Sequence, residues 1–333
     1  MRFVVRGDGV AALTCSYLLQ TAGFSVAIQR NARTRVPALM MSASSQALFC
    51  DILHTPEAFS VLPRIERRVV KWGPDAEIIA LPHSAVIVSE EFLLDLISEL
   101  VRFNDEPDDS QDWTIVSSRR PLPESSLESS FGKRTATVVS VQLESRADPA
   151  TCWIESVDDG WLFLIPDVSG TGWLMSVGGP LDSHLSDSQI VAAQVAHLSP
   201  EPREFPAHPG VRWPLAGIDW LACGTAALAF DPLCGDGTGH AIREAILASA
   251  VLRAAARGAN VQELTTHYQT RLVAGFKRHL LECSKFYECG GVGSWWKSAA
   301  DSVREGLAWC DNQLSNAGDF RYRLRGFELE RLS

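Results

Sequence analysis

Residues 1–30 read MRFVVRGDGVAALTCSYLLQTAGFSVAIQR and divide into three pieces. Phe3 to Val5 is a short apolar run suited to a buried parallel strand. Gly7, Gly9 and Ala12 follow with GxGxxA spacing. Ala11 to Gln20 has helical composition, and Gly23 ends that helix before a second strand, Ser25 to Gln29. A dinucleotide fingerprint needs this strand–turn–helix–strand setting. One glycine permits the tight turn, the next lets the backbone approach a pyrophosphate, and a small third residue lets helix pack on strand. The second strand of such a unit ordinarily ends in an acid that holds the ribose hydroxyls. Here Gln29 stands there, followed by Arg30. Glutamine can hydrogen-bond a hydroxyl, though without a charge behind the bond. Arg30, with Arg33 and Arg35 nearby, could face phosphate; a solvated loop is the plainer reading of the latter two.

A second glycine-rich stretch lies at residues 221–246, LACGTAALAFDPLCGDGTGHAIREAI. Glycines let a main chain come close to a ligand, and the unpaired N–H groups of a helix start favour negative charge. An ordinary strand-to-helix loop would also look like this, because glycine is common loop punctuation.

Length and composition set the outer bounds. The 333 residues suffice for one large domain or two interleaved ones. A 46% hydrophobic and 21% charged content is an ordinary globular balance. Net charge is −10, which argues against a broad surface for nucleic acid or anionic lipid. Eight cysteines form no CxxC pair and no Cys/His cluster with zinc spacing, so no metal site is expected. Most of them read as buried small residues in a reducing compartment. Arg6 and Asp8 interrupt the first apolar residues, so no signal peptide is read, and no apolar run is long enough to cross a bilayer. A cytoplasmic protein is the expectation.

The two glycine-rich stretches together resemble FAD-dependent oxidoreductases of the p-hydroxybenzoate-hydroxylase and flavin-halogenase superfamily. In that superfamily an N-terminal GxGxxG/A turn binds the ADP half of FAD. A late GDAA…PxxGxG motif, leading into a helix, binds the ribityl chain and flavin ring. The matching residues are Gly7, Gly9 and Ala12, then Gly224, Thr225, Ala226, Ala227, Asp231, Pro232, Leu233, Cys234, Gly235, Asp236 and Gly237. The resemblance implies an α/β fold: a Rossmann-type FAD-binding domain interleaved with an antiparallel-sheet substrate domain, and a helical C-terminal tail. Its expected partition is 1–60, 84–133 and 215–260 for FAD, 61–83 and 134–214 for substrate, and 261–333 for the helical region. Three acidic anchors of the family are absent. Gln29 and Thr225 replace two, and Ser117, Ser118 and Arg119 stand where an Asp–Gly pair is expected.

Within the superfamily, Trp161, Phe163, Ile165 and Pro166 come close to the Trp-x-Trp-x-Ile-Pro motif of halogenases. Arg64 falls roughly where their lysine would sit, with Lys71 just before Trp72. Arginine keeps its proton, which disfavours halogenation. Overall layout is more similar to flavoproteins that mature tryptophylquinone enzymes. The shared features are the KWG…LPHSAVIVSEEFLLDLI block and the aromatic tail GGVGSWWKSAADSVREGLAW. That resemblance implies hydroxylation of an aromatic substrate, either a small molecule or a tryptophan of a partner protein. No second nucleotide fingerprint follows residue 30, so reductant would be transient NAD(P)H or reduced flavin from a separate reductase. A flavin-binding maturation partner without turnover and a flavin reductase are the alternatives.

Periodicity fills in the rest. Ser89 reads as a helix cap with Glu90 and Glu91 in the first turn. NDEPDDSQD reads as an acidic loop, and Trp113 to Val116 as a strand. Residues 134–182 alternate in strand fashion; 240–256, 261–288 and 294–314 read as helices. The FAD-binding residues expected from the resemblance are Gly7, Gly9, Ala12, Gln29, Arg30, Thr225, Asp231, Pro232, Gly235 and Gly237. His83 and Asp236 are the catalytic candidates. Against them stand a histidine bonded within its own domain and an ordinary helix-start acid. Trp295 and Trp296 could form a lid, a docking surface or a core anchor.

Overall fold

The computed structural model describes residues 1–31, 33–103, 113–119, 121–167, 170–317 and 320–332. The loop expected at NDEPDDSQD, residues 104–112, lies outside them. Seven helices are described: α1 Val10–Thr21, α2 Ala43–Leu53, α3 Glu90–Ser98, α4 Leu181–Asp187, α5 Gly237–Ala256, α6 Val261–Cys289 and α7 Ser294–Ser315.

Four parallel strands form the nucleotide-type sheet, in the order Trp220–Ala222, Trp113–Val116, Arg2–Arg6, Ser25–Gln29. Phe3, Val4 and Val5 are all buried, as a strand covered on both faces requires. α1 returns across the sheet and packs on α3 and α5; its fully buried Ala12 supplies the small contact that lets it lie close. Ser89 caps α3 by accepting the Phe92 N–H at 3.1 Å. Glu90, at the first position of α3, turns inward instead of out to solvent.

The larger sheet runs Val195–Leu198, Thr135–Leu143, Thr171–Gly178, Gly160–Pro166, Thr151–Val157, Arg64–Lys71, Ile79–Val88, Leu39–Ser42, with Arg203–Pro206 also on Thr135–Leu143. Its pairs are antiparallel except Arg64–Lys71 with Thr151–Val157. In GWLFLIP the alternation is realised residue by residue. Leu162 and Leu164 pack with Val139, Val141, Trp153 and Leu174 on one face, while Phe163 and Ile165 join Ile65, Ile87 and Trp173 on the other. The sheet draws one strand, Leu39–Ser42, from inside residues 1–60.

The C-terminal region departs from the helical expectation after Ser315. Tyr322–Arg325 and Glu328–Arg331 form an antiparallel hairpin about Gly326, at φ +58°. The residues alternate charged and apolar with opposite signs on the two strands, so Arg323 and Arg325 both meet Glu330. That period of two is a strand signal.

Candidate functional site

Because the four strands of the smaller sheet are parallel, their carboxyl ends share one edge, the edge where ligands bind in open α/β sheets. Arg6 leads into Gly7, Gln29 into Arg30, Val116 into Ser117, and Ala222 into Cys223 and Gly224. Gly7 has φ +140°, and its N–H donates to the Gln29 carbonyl at 2.9 Å. A Cβ there would stand 3.2 Å from the Ser117 backbone. Gly224, at φ +58°, would place a Cβ 3.0 Å from that of Ala11 and 3.2 Å from Ser117 Oγ. The N-terminal turn and the late turn thus converge on Ser117, a contact spanning more than one hundred residues on each side.

Gly9 precedes α1 without a side-chain cap among the described residues, and the first turn carries no acid, a helix start that suits an anion. Arg33 lies across this turn, its guanidinium 3.2 Å from a Cβ built on Gly9. It is held there by Glu90, whose other oxygen also accepts the Val36 N–H at 3.0 Å. Arg35 pairs with buried Asp8 at 2.6 Å. These two arginines are therefore fixed beside the turn, which the plainer solvated-loop reading did not foresee. Arg30 turns away and stacks on Phe103, 3.8 Å from the ring centre. The Gln29 side chain is exposed.

The late loop is fastened from behind. Asp231 is buried, and its carboxylate accepts from Arg134 at 3.0 Å, the Tyr287 hydroxyl at 2.8 Å and the Leu233 N–H at 3.0 Å. Its own N–H donates to His279 Nε2 at 3.0 Å. Three bonds thus offset the desolvation of the carboxylate, and together with the backbone bond to His279 they direct Asp231 toward α6 and the larger sheet. Pro232 then opens a single 3-10 turn, and Gly235 closes it in the left-handed region at φ +59°. In front of Gly235 and Gly237 the space is open: a Cβ on either meets nothing within 4 Å among the described residues. Thr225 is exposed, its hydroxyl 3.5 Å from the Ser117 carbonyl.

Two acids that sequence reasoning passed over sit at these turns, Asp8 and Glu244. Glu244 lies on the buried face of α5, where burial pushes its carboxyl up to about 8. One oxygen accepts the Gly224 N–H at 2.6 Å. The other is buried without a partner among the described residues. The signal was available as an acid amid the apolar run AILASAV; its target was not.

The catalytic candidates have separate partners. His83, half-buried on Ile79–Val88, receives a hydrogen bond at Nε2 from Arg68 at 3.1 Å; burial and that cation lower its pKa. Asp236 accepts from Ser45 at 2.6 Å and Arg243 at 2.7 Å, so it ties α2 to α5. No hydrogen bond joins His83 to Asp236 among the described residues. His240 stacks on Phe230, centroids 4.0 Å apart, in the first turn of α5. Asp159, His184 and Ser176 align at 2.8 and 2.6 Å. Ser176 is 2% exposed and His184 fully buried, so this chain braces the turn at Gly160 and Gly178 and offers no nucleophile to a substrate. Trp296 is the core anchor: it is 1% exposed and its indole N–H donates to the Val157 carbonyl at 2.9 Å. Trp295 stands edge-on to it and is half-buried. Cys234, His279 and Cys283 come together, with their ligand atoms within 4.8 Å of one another. His279 and Cys283 lie one helical turn apart, but Cys234 comes from a distant loop, so spacing alone did not show the trio.

Three solved structures share this arrangement of sheets and helices. The myxobacterial chondrochloren halogenase CndH, an FAD-dependent halogenase, superposes with a TM-score of 0.76 at 15% identity, over 95% of this chain and 90% of that one. The peptidyl tryptophan dihydroxylase QhpG, essential for tryptophylquinone cofactor biogenesis, gives 0.69 at 16%, over 99% and 86%. The p-nitrophenol 4-monooxygenase PnpA from Pseudomonas putida gives 0.68 at 13%, over 94% and 98%. The chain has the flavin-dependent monooxygenase and halogenase fold. No protein-family model matches it, and no curated protein matches it in sequence. Within this fold, the expected α/β architecture of a Rossmann-type unit interleaved with an antiparallel sheet is present. No described helix is long and apolar enough to cross a membrane.

Residues of the flavin-monooxygenase fold present here fit an FAD molecule. The α1 N-terminus is open to an anion with Arg33 beside it. Gly235 and Gly237 leave room for close approach, and α5 directs its N-terminus into the same region.

Proposed function

We propose that this protein is an FAD-dependent monooxygenase that hydroxylates an aromatic substrate. The observation that carries the reading is the convergence of Gly7 and Gly224 on Ser117 at the carboxyl edge of the parallel sheet. Gly7, Gly9 and Ala12 would receive the pyrophosphate against the N-terminus of α1, with Arg33 supplying the countercharge. Gln29 and Arg30 would lie toward the adenosine end. Thr225, Asp231, Pro232, Gly235 and Gly237 would shape the ribityl and ring end. Here Asp231 acts through the loop it holds rather than by touching the ring. Bound FAD would supply two-electron reduction and the activation of molecular oxygen. The N-terminus of α5 stabilises negative charge placed before it, and neutral His83 could exchange a proton with a substrate hydroxyl or indole N–H. Asp236, the other candidate, is already held by Ser45 and Arg243, so proton handling is assigned to His83.

The substrate class proposed is aromatic, with a tryptophan side chain of a partner protein as its finer form; the fold shared with QhpG supports that choice. NAD(P)H binding transiently, or a separate reductase, would be the electron donor. The work would be divided between residues 1–60, 84–133 and 215–260, holding FAD, and 61–83 with 134–214, facing substrate. A cytoplasmic setting suits the eight free cysteines. Halogenation is not adopted, because Arg64 is exposed and keeps its proton.

The test is the absorption spectrum of purified protein before and after FAD addition, then oxygen uptake on reduction with an aromatic substrate present. Flavin absorbance retained through gel filtration and an oxygenated product are expected. Absence of any binding signal overturns the reading. Binding with a co-purifying partner but no product would instead support the non-turnover maturation role.

A further inference from the structure

The motif residue Cys234 ends the turn that begins at Pro232, and it is half-buried. Facing it from α6 is Cys283, which is buried, with the two Sγ atoms 3.4 Å apart. His279, one helical turn before Cys283, places Nε2 3.4 Å from the Cys283 sulfur. A cation held by this trio would need the lone pair of Nε2. That lone pair already accepts the Asp231 N–H at 3.0 Å, and breaking this bond would release the backbone of the loop. The imidazole is neutral, its pKa pushed down to about 3 by burial, so its remaining proton sits on Nδ1. The two thiols face each other directly.

We propose that Cys234 and Cys283 form a reversible disulfide that tethers the late glycine loop to α6. The oxidant is hydrogen peroxide. Cys234, the more accessible sulfur, attacks as thiolate on one peroxide oxygen. The O–O bond breaks, the departing oxygen leaves as water, and Cys234 becomes a sulfenic acid. The Cys283 sulfur then attacks the Cys234 sulfur. An S–S bond forms, the S–O bond breaks, and the hydroxyl leaves as water with the Cys283 proton. Two thiols lose two electrons and two protons, and one peroxide becomes two waters; a dithiol reductant reverses the change. The hydrogen bond with Cys234, and then burial, raise the pKa of Cys283 and keep it protonated until that second step.

The consequence is mechanical. Reduced, the loop is held from behind at Asp231 by Arg134 and Tyr287. Oxidised, it gains a covalent hold three residues on, directly before Gly235. The inference rests on the two thiols and not on flavin binding, so its test needs no flavin.

Purified protein would be treated with hydrogen peroxide under native conditions, alkylated and mapped by mass spectrometry. The expected result is loss of two of the eight free thiols, a linked peptide joining Cys234 to Cys283, and its disappearance on dithiothreitol treatment. Cys283→Ser should abolish the link and leave Cys234 trapped as sulfenic or sulfinic acid. Oxidation at exposed Cys289 is scored separately, since it changes one thiol only. The proposal is overturned if Cys234 is oxidised while Cys283 remains a free thiol in the wild type. It also fails if protein as isolated carries zinc or copper that Cys283→Ser removes.

Discussion

The Gly224 N–H donates to Glu244 Oε2 at 2.6 Å, so the late turn is held by a carboxylate buried behind it. Burial raises that carboxyl from 4.5 to about 8. The folded state therefore binds the proton more tightly than the unfolded chain between these values. Its stabilisation is present below pH 4.5 and is lost as pH rises through about 8. Glu244→Gln keeps an acceptor for Gly224 and has no proton to lose. Denaturant unfolding at pH 5 and pH 9 should show the wild type losing stability relative to the variant, on the order of 4 kcal/mol at most. Equal slopes for the two proteins would mean that Glu244 is not the titrating group.

Arg134 and Asp231 form an ion pair whose side chains are 4% and 0% exposed. Arg134→Met should cost about 3–5 kcal/mol, because it strands a buried carboxylate. Arg134→Met with Asp231→Asn should recover part of that loss. Tyr287→Phe removes one hydrogen bond and should cost about 1 kcal/mol. Thermal melts of the three variants check the order; a double variant weaker than Arg134→Met would contradict it.

Gly235 and Gly237 separate ligand approach from backbone strain. Gly237 begins α5 with ordinary φ and open space before it. Gly237→Ala should leave Tm unchanged or slightly raised, by up to about 1 kcal/mol in stability. If the flavin comes close there, FAD affinity falls roughly tenfold or more, equivalent to about 1.4 kcal/mol. Gly235→Ala should weaken both, since its φ of +59° costs an alanine about 1–2 kcal/mol. Titration calorimetry beside thermal melts distinguishes the cases. Unaltered FAD affinity in Gly237→Ala would remove the ring end of the site from this loop.

His83 and Asp236 should differ in their effect on turnover. Asp236 already accepts from Ser45 and Arg243, so Asp236→Asn should cost about 1 kcal/mol of stability and leave the pH profile of kcat in place. His83→Gln should lower kcat and flatten the acidic limb of that profile, which in the wild type falls below pH 6.5 because the pKa of His83 is depressed. Matching profiles for wild type and His83→Gln would exclude a proton-handling role.

Residues 1–30 carried their own structure. The strand Ser25–Gln29, the turn at Gly9 and the cap at Ser89 depend on neighbours within a few positions, and the chemistry of those neighbours is written in order. The alternation of GWLFLIP likewise assigned Leu162 and Leu164 to one face before any partner strand was known. The C-terminal hairpin was equally legible in its alternating charges, and the helical reading of 261–333 passed over it.

What local order determined, then, was where the chain would be strand, turn or helix, and that two glycine-rich turns of little bulk existed. Only the tertiary structure decided that the turns meet at Ser117, and that Asp231 faces Arg134, 97 residues away in sequence, rather than a ligand. It also decided that Glu244 supports Gly224 and that Cys234 meets Cys283. Backbone conformation answers to sterics over three or four residues. A side chain's partner depends on which distant element the packed core delivers beside it.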